Sequence, residues 1–126
     1  MSGKRFLLDT NAVVALLRGE GELPGTVEGA AWVGISIITV LEFLSFPGLS
    51  AADRDCFEDF VRRVEIVDLT ASNTTLIEQT LFVRRDFTLK LPDAVVAASA
   101  RVSKAALISS DRDFSRVEGL DLLSRW

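Results

Sequence analysis

Four carboxylic acids stand where chemistry could be done: Asp9, Glu42, Asp93 and Asp111. Asp9 follows the apolar run Phe6–Leu8, and Asp111 follows Ala105–Ile108 and two serines. Glu42 lies just beyond a second apolar run, and Asp93 opens an alanine-rich stretch. If those runs are parallel strands, right-handed crossovers bring strands one, two and four together, and the four acids converge at one end of the sheet. Unpaired carboxylates in that position repel, and a bound cation or raised pKa values must relieve them. A hard divalent ion such as Mg²⁺ or Mn²⁺ prefers carboxylate and water oxygens. There it would activate water and stabilise charge on a phosphodiester under attack.

Each acid also has a plainer role. Asp9 after a strand fits an Asx turn or part of a cap. Thr39-Val40-Leu41-Glu42 matches the T-x-x-E capping box. Asp93 in a first helical turn complements the macrodipole. Asp111 and Asp113 fall in a polar turn, where acids are common. The case for chemistry therefore rests on four acids at sheet-end positions together.

Composition narrows the chemistry further. The 126-residue chain has no His, no Tyr and a single cysteine, Cys56. That excludes Cys-rich and His-rich zinc sites, Ser-His and Cys-His nucleophiles, and histidine acid–base catalysis. A lone cysteine forms no internal disulfide and is expected to be a small semi-buried residue in a reducing compartment. The net charge of −4 shows no basic nucleic-acid-binding surface in the total. A metal-loaded carboxylate site would invert that charge logic locally. The N-terminal residues carry too few apolar side chains for a signal-peptide core. The longest uncharged run, Gly29–Leu41, is too short to span a bilayer. The expectation is a cytoplasmic protein, without a membrane segment, forming one domain over residues 1–126.

The elements that must position these acids are legible as short apolar strands alternating with helices. Strands are expected at Phe6–Leu8, Trp32–Ile37, Ile66–Leu69, Ala105–Ile108 and Leu120–Leu123. Asn11 is placed to cap a helix over Ala12–Leu17. Thr39–Phe46 reads as a helix broken by Pro47-Gly48. Ser50, with Asp53 three residues on, caps the next helix, where Phe57, Phe60, Val61 and Val64 form an apolar stripe. Thr70–Arg85 reads as a helix with Leu76, Ile77 and Leu81 inward. Leu91-Pro92-Asp93 opens another, with Ala94–Ala100 packing closely on a sheet. Trp32 and Trp126 read as packing residues, and Arg84-Arg85 as a solvated helix end. Together these indicate an α/β fold with a mostly parallel sheet.

These blocks resemble the PIN-domain nucleases, in particular the VapC-type toxins of toxin–antitoxin pairs. The opening Phe6-Leu7-Leu8-Asp9-Thr10-Asn11 is similar to the family's apolar strand followed by Asp-Thr/Ser-Asn. Ser36–Glu42 resembles its Ser-x-x-Thr-x-x-Glu block, Leu91–Ala100 its Asp-led alanine-rich helix, and Leu107–Phe114 its Thr/Ser-x-Asp/Asn segment ending in Asp-Phe. The resemblance implies a three-layer α/β/α sandwich on a five-stranded sheet. It implies that Asp9, Glu42, Asp93 and Asp111 hold Mg²⁺ or Mn²⁺ and cleave RNA. Asn11 and Ser109 would orient carboxylate or water, Thr39 would fix the helix that presents Glu42, and Asp113 would contact the metal indirectly or cap a turn. It further implies a small antitoxin partner that inserts a segment near the acidic cleft, and a homodimer.

Three rival readings fit less of the chain. A phosphorelay receiver domain needs an acidic pair after strand one, an Asp after strand three and a Lys after strand five. Here Asp9 is followed by Thr10 and Asn11, the third strand ends at Leu69-Thr70, and no Lys follows Leu123. A PIN-fold binding module without catalysis would have no use for the full acidic set. A DNA-directed nuclease of this fold carries large clamping insertions for which 126 residues leave no room.

Overall fold

Alternation within the strands assigns the two faces of the sheet. A computed structural model describes residues 3–126. Met1 and Ser2 of the expected 1–126 domain lie outside the described residues. Five strands form one sheet: β1 (Arg5–Leu8), β2 (Trp32–Ser36), β3 (Glu65–Val67), β4 (Ala106–Ile108) and β5 (Leu122–Leu123). Their order is β3-β2-β1-β4-β5, and every pair is parallel.

Six helices connect them: α1 (Thr10–Leu17), α2 (Leu23–Glu28), α3 (Ile37–Leu44), α4 (Ala51–Val61), α5 (Thr74–Phe87) and α6 (Leu91–Val102). On one face Phe6, Leu8, Ile35 and Ile108 pack against Val13, Phe43, Phe57 and Phe60 of α1, α3 and α4. The rings of Phe43 and Phe57 stack there at 4.1 Å. On the other face Leu7 and Leu107 meet Val83 of α5 and the alanines of α6. The small side chains Ala94, Ala97 and Ala100 let α6 lie close to the strands. The fold is thus the expected three-layer sandwich, with its sheet wholly parallel.

Several local expectations are corrected. Asn11 does not cap α1. The cap is Asp9, in extended backbone and without a side-chain capping bond. The Thr39–Glu42 capping box does not form either. Helix α3 starts earlier, and Ser36 caps it by accepting from the Ile38 amide. β2 accordingly ends at Ser36, not Ile37. Helix α5 begins at Thr74 behind an Asn73 cap rather than at Thr70, and runs to Phe87. Its inward residues are Leu76, Thr80 and Val83, while Leu81 is exposed. Cys56 is exposed rather than semi-buried. β3 and β5 are shorter than expected. The Ser50–Asp53 capping box of α4 is present with both of its bonds.

Candidate active site

Sheet order fixes where a site can form. From β1 the chain crosses to β2 on one side, and β4 lies on the other. The carboxyl end of β1 is therefore a topological switch point, where crevices open in parallel sheets. Asp9 leaves β1 at that point, with its amide donating to the Ile108 carbonyl of β4 at 3.0 Å. Its side chain is buried, only 7% exposed.

Ser109, immediately after β4 and fully buried, is the hub of the site. Its hydroxyl donates to Asp9 Oδ2 at 2.8 Å and accepts from Asn11 Nδ2 at 3.2 Å and from the Asp111 amide at 3.1 Å. Asn11 Oδ1 accepts from the Ser110 amide at 3.1 Å, and Asn11 Nδ2 also approaches Asp9 Oδ2 at 3.4 Å. A backbone donor on one side and acceptors on the other set the orientation of that amide. This tertiary role is why Asn11 sits inside α1 rather than capping it.

Glu42 is exposed on α3, and its Oε1 accepts from the Thr10 hydroxyl at 2.7 Å. Thr39, one turn earlier, is fully buried, and its hydroxyl has no hydrogen-bond partner among the described residues. Asp93 lies in the first turn of α6, where Pro92 occupies a position that needs no amide donor. Asp111 accepts through Oδ1 from the Asp113 amide at 2.9 Å, which caps a short 3-10 helix, Arg112–Arg116. The local capping role and membership of the acidic cluster coexist in this residue.

Asp93, Asp111 and Asp113 bring carboxylate oxygens within 4.8 Å of one another. Asp113 thus stands in the tightest trio, and Arg116 holds it through a 3.1 Å bond while also donating to the Thr88 carbonyl at 3.0 Å. Asp9 and Glu42 lie close enough to act on Asp93 by charge. Burial first, and then the charges of Asp111, Asp9, Glu42 and Asp113, together raise the Asp93 pKa to about 6. Burial also raises Asp9. The Ser109 hydroxyl and the Thr10 amide pull it back, and the charges of Glu42 and Asp111 add to the rise.

The cluster draws on the residues after β1 and β4, the last turn of α3 and the first turn of α6, so all four acids named from the sequence share one end of the sheet. Two contributors escaped the sequence reading. Thr10 was visible only as a neighbour of Asp9. Arg116 carried a signal in its three-residue spacing from Asp113. The donors are all carboxylates, with hydroxyls and an amide behind them, which is the set a hard divalent cation prefers. Crowded acids with raised pKa values gain from such a charge.

No curated protein matches the chain. Among solved structures, the chain is similar to VapBC2 from Rickettsia felis bound to a promoter DNA fragment. The TM-score is 0.80 at 20% identity, over 94% of this chain and 97% of that one. A toxin–antitoxin complex from Klebsiella pneumoniae gives a TM-score of 0.72 at 25% identity, over 93% and 94%. DNA-bound VapBC from Salmonella typhimurium gives 0.70 at 22%, over 95% and 97%. The PIN domain family model matches residues 6–120. With nearly its whole length inside that match and its acids at the switch point of the sheet, the chain belongs to the PIN-domain family.

Proposed function

We propose that this protein is a metal-dependent endoribonuclease and the toxin of a toxin–antitoxin pair. Family membership and the toxin–antitoxin neighbours support a toxin-component nuclease. The observation that carries the chemistry is the convergence of Asp93, Asp111 and Asp113, with Asp9 and Glu42 close enough to act on Asp93 by charge. Asp9, Glu42, Asp93 and Asp111 are assigned as the catalytic and metal-holding residues, with Mg²⁺ or Mn²⁺ as the ion. Such an ion, when bound, supplies an activated water and positive charge against the phosphodiester as it is attacked.

The chain's own residues do the positioning. Ser109 and Asn11 fix the Asp9 carboxylate, so its free oxygen keeps one direction. Thr10 holds one oxygen of Glu42. The Ser109 hydroxyl ties the loop carrying Asp111 to Asp9, so ligands from two strands move together. Thr39, on the buried face of α3, seats the helix that carries Glu42. Asp113, held by Arg116, adds a fifth carboxylate to the rim.

RNA as substrate, a small antitoxin protein, a homodimer and a cytoplasmic setting go with this assignment. The structural similarity to VapBC2 and to a toxin–antitoxin complex supports the antitoxin. An acidic cleft suits a partner segment bearing a basic residue. An apolar hollow of about 310 Å³ between α3, α5 and α6, bordered by the exposed Leu69, Leu81 and Leu91, offers surface for a second copy. Among the described residues no helix is long and apolar enough to cross a membrane.

The test is cleavage of total RNA by protein freed of any co-purifying partner, with Mg²⁺, with Mn²⁺, with EDTA, and with the Asp93→Asn protein. Cleavage that needs both the metal and Asp93 is expected. Equal cleavage by Asp93→Asn, or cleavage unaffected by EDTA, overturns the assignment.

A further inference from the structure

The end of the sheet opposite the acidic site carries a hollow of about 600 Å³. The starts of β1 and β4, the end of α6 and the β5 edge enclose it. Four of the chain's 14 lysines and arginines line it: Lys4, Arg5, Arg101 and Lys104. Asp121 is the one acid among its lining residues. In a protein of net charge −4, this is a local reversal of sign.

The cations are available rather than spent. Among the described residues none of the four takes part in an ion pair. Arg5 uses Nε for the Ser103 carbonyl at 2.9 Å and rests its guanidinium 4.7 Å from the Trp32 ring, which leaves both terminal nitrogens of its fork uncommitted. Arg101 reaches the Glu118 carbonyl at 3.3 Å and lies over Phe82. Both side chains are therefore held in place before any ligand arrives, which lowers the entropy lost on binding.

Lys104 is the second, independent observation. It follows the Ser103 cap of α6 with φ of +53°. That position ordinarily takes glycine, because a side chain in the left-handed region costs energy. A helix carboxyl end favours a cation, but Arg101 already supplies one in the last turn. Arg5, at the start of β1, meets the α6 cap through Nε alone, and Lys4, just before that strand, has no such role.

We infer that this hollow is an anion site that takes backbone phosphates of the RNA strand whose cleavage is proposed above. The inference rests on that ribonuclease reading. β4 spans three residues, so Lys104 and Ser109 are separated by roughly 15 Å along extended chain. A bound single strand reaches both. The acidic end repels phosphate everywhere except at a bound cation, so affinity for a polyanion must be supplied elsewhere on the surface. An acidic peptide is the competing occupant, but it offers no reason for the site to lie within reach of the carboxylate cluster.

The experiment compares the parent with a Lys4→Gln, Lys104→Gly double variant. Lys4→Gln, Lys104→Gln serves as a second variant that keeps a side chain on the left-handed backbone. Binding of poly(U) long enough to span β4, of the dinucleotide UpU, and of poly(glutamate) is titrated against salt. Both variants are expected to bind poly(U) several-fold more weakly, with the slope of log affinity against log salt reduced by about 1.4, two contacts at about 0.7 each. The loss is expected to be larger for poly(U) than for UpU. If the parent cleaves RNA and the variants keep its affinity and slope, the inference falls and the ribonuclease reading stands. Weakened poly(glutamate) binding with unchanged poly(U) binding assigns the hollow to an acidic peptide instead. A parent that neither binds nor cleaves RNA overturns both.

Discussion

The same strands end in opposite electrostatic surroundings. β1 leaves Lys4 and Arg5 at its start and Asp9 at its finish, and β4 has Lys104 before it and Asp111 beyond it. The two ends nevertheless handle their charge differently. At the carboxyl end Asp9 is buried, Asp93 is half-buried, and repulsion accumulates because little water screens it. At the amino end Lys4, Arg5 and Lys104 are exposed, and solvent and salt dissipate their mutual repulsion. Burial, more than the number of charges, sets the two ends apart: it perturbs the acids at one and leaves the cations at the other in solvent.

That contrast can be broken at either end. The largest effect is expected from Asp9→Asn, which keeps the shape and removes the most buried charge. On the proposed assignment of Asp9 as a metal-holding carboxylate, its loss is worth several kcal/mol in the transition state, so cleavage of a defined RNA is expected to fall at least about a thousandfold. Next comes Ser109→Ala, which strips a partner from Asp9, from Asn11 and from the Asp111 amide at once. It is expected to destabilise the fold by about 1–3 kcal/mol, read from the urea midpoint at constant slope.

Asp93→Asn sharpens the comparison through pH. The folded protein holds the Asp93 proton up to about pH 6, against an ordinary value of 3.8. The native state thus binds more protons than the unfolded chain between those values, and stability falls as pH rises through that window. Asparagine removes the penalty. The variant is expected to be more stable above pH 6, by on the order of 1 kcal/mol because solvent screens this half-buried group. The gain disappears below pH 4 in thermal unfolding followed by circular dichroism. A gain that persists at pH 3 would disconnect the effect from the carboxylate charge. The smallest effect is expected at the basic end. Lys104→Gly relieves the left-handed backbone, offset by a freer unfolded chain, for a gain on the order of 0.5 kcal/mol.

Much of the site was legible because it follows from a rule of topology. An acid after an apolar run, repeated on strands that a parallel sheet brings together, locates Asp9 and Asp111 without any coordinates. What stayed hidden were choices between local and tertiary bonding. Asn11 and Thr39 each matched a capping pattern, yet Asn11 bridges to residues about a hundred positions away and Thr39 is buried inside α3. Local patterns describe what a side chain could satisfy nearby, and β1 meeting β4 offers Asn11 a better partner. In α5 the apolar Leu81 was read as inward, but the face turned to the core carries Thr80 and Val83, and helix phase is set by the neighbour it packs on. Asp113 was legible as a turn acid, and only the packing of α6 against the 3-10 segment brings it beside Asp93. The basic hollow gave no signal in sequence, because its cations come in two pairs about a hundred residues apart.

The anchoring of Ser109 has a consequence for biosynthesis. Its amide donates to the Leu123 carbonyl of β5 at 3.1 Å, the bond that fixes the loop after β4 to the edge of the sheet. Chains emerge from the ribosome amino end first. Asp9, Glu42, Asp93 and Asp111 are all translated before that edge strand exists, yet the hub that joins Asp9 to the Asp111 loop is pinned only after Leu123 has cleared the exit tunnel. A growing polypeptide therefore carries every carboxylate of the cleft while still lacking the strand that anchors the loop after β4, which delays assembly of this end of the sheet until synthesis has passed its last strand.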